Sequence, residues 1–228
     1  MMLFGALANG LAVALGGGIG LAFKKGISER VKTLVIQSLG ICVVYVGISG
    51  SLKGNNTVFV VLSMVIGAII GELINFDHQF NRFGDWLEKV MGLQGDNHFS
   101  EGFVTGTLFI CVGAMAIVGS LQSGMSGNNS VLYTKSMIDG IFVLILATTL
   151  GLGVAFSSIS VVIYESVLTL LAQWVAPLFT HTVINEMTCV GSLLILIIGL
   201  NMLKLTQIKV ANLLLAPFIP ILLYALFK

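Results

Sequence analysis

The chain has 228 residues, 57% of them hydrophobic and 9% charged, with a mean hydropathy of +1.04. A soluble domain carries roughly 25% charged residues, so this composition excludes one and points to a helical protein of the membrane. The net charge of +1, with no large basic cluster, excludes a nucleic-acid footprint.

A spanning helix needs about 20 apolar residues. That ruler gives about eight spans in one all-α transmembrane bundle over 1–228: 2–23, 31–51, 57–75, 102–121, 136–156, 158–176, 182–203 and 210–227. The N-terminus has no basic flank before its apolar run, so it reads as a retained first helix and not a cleaved signal. Between 136 and 176 the apolar sequence is nearly continuous. As one helix it would run about 60 Å, twice the hydrocarbon thickness, so a tight turn is expected at Ser157-Ser158. With eight spans and both termini outside, Lys24, Lys25, Arg30, Lys32, Arg82, Lys89, Lys204 and Lys209 fall on the cytoplasmic side, against Lys53, Lys135 and Lys228 outside. Merging the fifth and sixth spans moves Lys204 and Lys209 outward and removes this positive-inside bias.

Along the chain, the first span carries Asn9 and a small-residue face at Gly16 and Gly20. The second carries Gln37 and Ser38, the third Gly67 and Gly71 followed by Glu72. Such glycines suit close helix packing, and those of the first and third spans would permit a homodimer. Residues 76–91 differ: Phe76, Phe80, Phe83, Leu87 and Val90 recur at helical spacing among charges, which predicts an amphipathic helix on the cytoplasmic membrane face. The fourth span opens with Glu101. A flexible external loop, QSGMSGNNS, precedes Lys135 and Asp139, which stand four apart and so can pair along one helix face. Glu165 lies near the middle of the sixth span, Asn185 and Glu186 one turn inside the seventh, and Asn201 near its end. Pro217 and Pro220 predict a kink in the eighth. Cys42, Cys111 and Cys189 sit in apolar runs and read as small core residues, not disulfides or metal ligands.

Sliding the sequence by 151 residues aligns Gly40 with Gly191, Leu52 with Leu203 and Lys53 with Lys204. The first three spans then match the last three at an offset of five, which gives the two triplets opposite orientations. Inverted repeats of this kind are a signature of secondary transporters; the second and fourth spans, through Ser38-Leu39-Gly40 and Cys111-Val112-Gly113, also resemble each other in parallel, which leaves a parallel repeat as the alternative.

Three stretches carry a family resemblance: GISERVKTLVIQSLGICVVYVGI, EGFVTGTLFICVGAMAIVGSL with LYTKSMIDG, and INEMTCVGSLLILIIGLNML with LKLTQIKVANLLLA. The chain resembles the domain-of-unknown-function 554 family of bacterial integral membrane proteins, the YdfK/YqgA-like group, over essentially its whole length. The resemblance implies a multi-pass protein of the bacterial inner membrane without an agreed activity. It places family motif positions at Gln37, Glu72, Glu101, Lys135, Asp139, Asn185 and Glu186. At the position of Glu165 relatives tend to carry a neutral polar residue, which moves weight to Asn185 and Glu186.

A carboxylate in hydrocarbon costs about 2.5–3.5 kcal/mol on insertion scales, so intramembrane acids are usually functional. The expected function is therefore a transporter or channel for a small ion or polar solute. Its pathway would use Asn185, Glu186, Glu165, Gln37, Ser38, Asn9 and Asn201, with Lys135, Asp139 and Glu72 as gate or ion-pair residues. The alternative is a membrane scaffold or sensor in which polar side chains glue helices together, each worth about 0.6–2 kcal/mol. An enzyme is not expected, since neither a GxSxG nor an HExxH motif is present; no cofactor or resident metal is expected either.

Overall fold

In the computed structural model, residues 2–24, 29–91 and 99–227 are described, and among them only helices and turns occur. Lys25, Lys228 and the polar stretch from Gln94 to His98 fall outside the described residues. The helices are α1 (Phe4–Lys24), α2 (Glu29–Ser51), α3 (Thr57–Ile74), α4 (Phe76–Met91), α5 (Phe99–Cys111), α6 (Ala114–Ser126), α7 (Ser130–Leu150), α8 (Leu152–Leu170), α9 (Ala172–Val175), α10 (His181–Met202) and α11 (Ile219–Leu226). Six of them, α1, α2, α3, α7, α8 and α10, are each long and apolar enough to cross a membrane. Large side chains left outward on them, such as Leu11, Leu34, Ile41, Leu73 and Ile141, form the apolar surface that lipid would cover.

Three of the expected boundaries move. The fourth apolar stretch is not one continuous helix but two 13-residue helices, α5 and α6, bent by 58° at the break between them. Gly113 is extended, with φ −64° and ψ 141°, so the helix stops and restarts inside the apolar region. The loop expected over QSGMSGNNS shrinks to residues 127–129, because α6 runs on to Ser126 and α7 begins at Ser130. The turn between the fifth and sixth stretches falls at Gly151, not at Ser157-Ser158. Gly151 takes φ 76° and ψ −148°, a region essentially reserved for glycine. Ser157 instead donates to the Val154 carbonyl within α8, which keeps it helical. The last apolar stretch is broken as its prolines predict: two 3-10 turns, Val210–Leu213 and Ala216–Phe218, precede α11.

Glycines set the helix pairings. A Cβ on Gly16 would lie 2.3 Å from the Gly140 carbonyl and one on Gly20 2.3 Å from that of Leu144, so α1 and α7 run parallel at close range. Gly10 meets Val162 and Gly17 meets Ala155, which makes α8 antiparallel to α1. Gly40 meets Leu203, Gly47 meets Leu196 and Gly50 meets Ser192, so α2 and α10 are antiparallel. Gly67 against Ala216 and Gly71 against Asn212 pair α3 antiparallel with the broken terminal segment. The largest core cluster joins Val13, Val43, Leu108, Val143, Leu146, Val154, Val190 and Leu194. Of the three cysteines, all free, Cys111 and Cys189 are buried as expected, but Cys42 faces outward on α2.

The amphipathic segment is helical. Its Phe80 packs on Phe103, and Phe83 packs on Phe99 and stacks with Trp86, so an aromatic seam fastens α4 to α5.

Candidate functional site

Asn9 lies five residues into α1, about 8 Å along the helix from its first residue. Because α1 and α7 are parallel, Asn9 comes level with the first turns of α7, where Lys135 and Asp139 share one face. Antiparallel α8 brings Glu165 to the same level. The four side chains form one buried cluster: Asn9 and Glu165 are 0% exposed, Lys135 4% and Asp139 8%. Asn9 Nδ2 donates to Asp139 Oδ2 at 3.0 Å and to Glu165 Oε1 at 2.7 Å. The Lys135 ammonium pairs with Asp139 and stands 3.8 Å from Glu165 Oε1. Fully ionised, two carboxylates and one ammonium leave one negative charge in a largely buried site. Asn9 Oδ1 and Glu165 Oε2 are buried there with no hydrogen-bond partner among the described residues. Buried ions are tolerable only when paired, so one proton or one further cation is what this cluster lacks.

Lys135 and Asp139 also line an open cavity of about 420 Å³ bordered by α2, the α5–α6 break, α7 and α10. Ser49, Lys53, Gly113, Thr188 and Ser192 are on its wall. A second cavity of about 340 Å³ lies at the other end of α10, lined by Asp77, Ser100, Glu101, Asn201, Thr206 and Lys209. The first reaches Ile195 on α10 and Phe109 on α5; the second reaches Ile198 and Thr105. On both helices about one turn separates the two, and Leu108, 1% exposed, fills that level on α5.

The remaining expected residues lie elsewhere. Glu186 is fully buried, but its Oε1 accepts the backbone N–H groups of Asn55 and Asn56, both at 2.7 Å. It holds the α2–α3 loop, and neither Lys135 nor Glu165 is its partner. Asn185 beside it is half-buried. Gln37 and Ser38 are exposed on α2, away from the cluster. Asn201 Oδ1 accepts from Thr206 and from the Ile208 N–H while its amide donates to the Ile208 carbonyl, closing the turn after α10. Glu72 is exposed and accepts from Asn212 Nδ2 at 2.6 Å, while Asn212 Oδ1 takes the Asp77 N–H. Asn212, Thr188 and Ser192 were not singled out by sequence, and Lys53 figured there only as an outside charge and a repeat position. Of these only Asn212, a polar residue in an apolar run ahead of a proline, carried a readable signal.

No solved structure matches the chain. Two curated relatives do: the uncharacterized membrane protein YdfK of Bacillus subtilis strain 168 is 30% identical over 222 residues, 96% of this chain and 94% of its own length. The uncharacterized protein YqgA of Escherichia coli K12 is 28% identical over 220 residues, covering 93% and 92%. With its apolar helices and these relatives the chain is a multi-pass membrane protein, and since the model of the family described as "Protein of unknown function (DUF554)" matches residues 4–225, it belongs to that family.

Proposed function

We propose that the protein is an inner-membrane transporter that moves a small ion or polar solute in a proton-coupled cycle. The observation that carries this reading is the Asn9–Lys135–Asp139–Glu165 cluster, one positive charge short, on the wall of a cavity. A proton arriving at Glu165 makes the cluster neutral; its departure restores the charge and strengthens the hold on Lys135. Protonation thus changes how tightly α1, α7 and α8 are tied together beside the cavity, which is the coupling a transporter needs.

Two features support a pathway. The two cavities approach within about one turn on both α5 and α10, leaving only a thin apolar layer to open. The α5–α6 break and the broken segment after Lys209 are the kind of interrupted helices that transporters use near the membrane midplane. The antiparallel pairings of α1 with α8, α2 with α10 and α3 with the terminal segment suit an inverted repeat. Ser51 and Met202, the ends of α2 and α10, differ by 202 − 51 = 151, the offset that aligns the sequence with itself. By that repeat, the end of α2 at the first cavity corresponds to the end of α10 at the second.

A scaffold role is the second reading, favoured by Gln37 and Ser38, polar side chains exposed on the outward face of α2 where a partner helix could engage them. Proton flux into proteoliposomes, compared with Glu165→Gln at matched incorporation, separates the two. Flux abolished by the substitution supports transport. No flux under any imposed gradient returns the weight to the scaffold.

A further inference from the structure

The 420 Å³ cavity carries a chemical bias of its own. Of the ionised groups on its wall, Asp139 is already engaged by Lys135 and Asn9, and only with a proton on Glu165 does the cluster behind it carry no net charge. What faces the cavity uncommitted is of the opposite kind. Lys53 stands at the mouth, exposed and with no acidic partner among the described residues. Ser192 is 4% exposed, lies on the cavity wall, and its hydroxyl has no hydrogen-bond partner among the described residues. The N-terminus of α6, 13 residues long, opens onto the same wall at Gly113 and Met115, and no side chain caps it. Helix N-termini favour negative charge, and ammonium and hydroxyl groups donate to it. Apart from Tyr45, Ser49 and Thr188, whose hydroxyl donates to its own helix, the rest of the wall is apolar, with Val46, Phe109, Ile110, Val112, Ile138 and Ile195 on it.

We propose that this cavity binds the carboxylate of a small organic acid, its headgroup among Lys53, Ser192 and the α6 N-terminus and its body against the apolar wall. The apolar lining argues against a fully hydrated inorganic anion, which would lose its water without replacement on most sides. The bound carboxylate sits on the same wall as Lys135 and adds a negative charge there, which one proton carried with it would balance. One acid anion with one proton would then enter together as a neutral load.

This inference deepens the transport reading, and equilibrium binding to the full chain in detergent tests it separately. The probes are acetate, butyrate and benzoate, with benzylammonium as the cation of matched size. Saturable benzoate or butyrate binding is expected, with benzylammonium binding absent. Ser192→Ala and Lys53→Ala should each weaken the carboxylate about tenfold, since a hydrogen bond to a charged group is worth about that factor. Ser63→Ala, which removes a buried hydroxyl on α3 outside this cavity, should leave binding unchanged. Preference for benzylammonium, binding by none of the three acids to folded protein, or carboxylate binding indifferent to both variants would overturn the site. Carboxylate binding without any proton flux would sink transport and keep the site; proton flux without carboxylate binding would do the reverse.

Discussion

Asn9 Nδ2 lies 2.7 Å from Glu165 Oε1, a hydrogen bond between side chains 156 residues apart. The same nitrogen reaches Asp139 at 3.0 Å, so one amide holds two carboxylates from two other helices. An amide has two N–H groups and no charge, and it is the one side chain of its size that can do this without shifting the charge balance. Asn9→Leu would leave both carboxylates short of a donor. Its expected effect is a loss of about 2–4 kcal/mol, read as a lower unfolding midpoint in detergent.

The charge count of the cluster makes an ordering prediction. Glu165→Gln keeps the shape and leaves Lys135 opposite Asp139 alone, a neutral pair. Lys135→Met leaves two buried carboxylates with no counter-charge, a change worth about 3–5 kcal/mol. Thermal unfolding should therefore rank Glu165→Gln at or above the natural protein and Lys135→Met far below it. If the two variants proved equally damaging, the cluster would not carry a surplus negative charge.

Glu186 calls for a different pair. Its Oε1 accepts two backbone N–H groups of the α2–α3 loop, and a glutamine carbonyl can accept the same two. Glu186→Gln is expected to keep both stability and flux, whereas Glu186→Ala removes the acceptor of two part-buried N–H groups, at about 1–3 kcal/mol in all. Flux lost in Glu186→Gln at unchanged stability would put this residue in the pathway after all.

Which parts of this architecture the sequence disclosed follows from the range over which each signal acts. Spans with apolar runs of about 20 residues and polar ends, such as α2, α3 and α10, were legible to within two residues. The α5–α6 break was not, because Val112-Gly113 is no more polar than its neighbours and a lone glycine occurs in many unbroken helices of this chain. The turn at Gly151 was misread for a similar reason: two serines look more polar than one glycine, yet a sharp turn is decided by backbone conformation. Within the site, Lys135 with Asp139 was readable from i,i+4 spacing. Their union with Asn9 and Glu165 was not, since it depends on the parallel approach of α1 to α7, which only facing backbones define. Glu186 looked like Glu165 in sequence, and what separates them is that one meets a loop's N–H groups and the other a charged neighbour.

The glycines of α1 provide a control within one helix. Gly16 and Gly20 face α7 at backbone contact, but a Cβ on Gly18 would meet nothing within 4 Å. Gly18→Ala is expected to be neutral or mildly stabilising through helix propensity. Gly16→Ala must push the α7 backbone away, at about 1–3 kcal/mol, and should loosen the site because Asn9 and Asp139 ride on the two helices being separated. Unfolding midpoints of the two variants decide it, and equal midpoints would mean that α1 and α7 do not approach as closely as described.

The placement of the α7–α8 turn is open to a similar paired test. At Gly151 the backbone lies where an alanine is strained by about 1–3 kcal/mol. Ser157 contributes one hydroxyl bond to the carbonyl three residues back, and its loss in Ser157→Ala costs no more than about 1 kcal/mol. Gly151→Ala should therefore lower the unfolding midpoint clearly more than Ser157→Ala. The turn matters beyond local geometry, since it fixes the register of α8 and with it whether Glu165 stands level with Asn9. A turn displaced by six residues would carry Glu165 about 9 Å along the helix axis, out of reach of the cluster. The reverse ranking of the two variants would thus relocate the turn to the serines and dissolve the buried site with it.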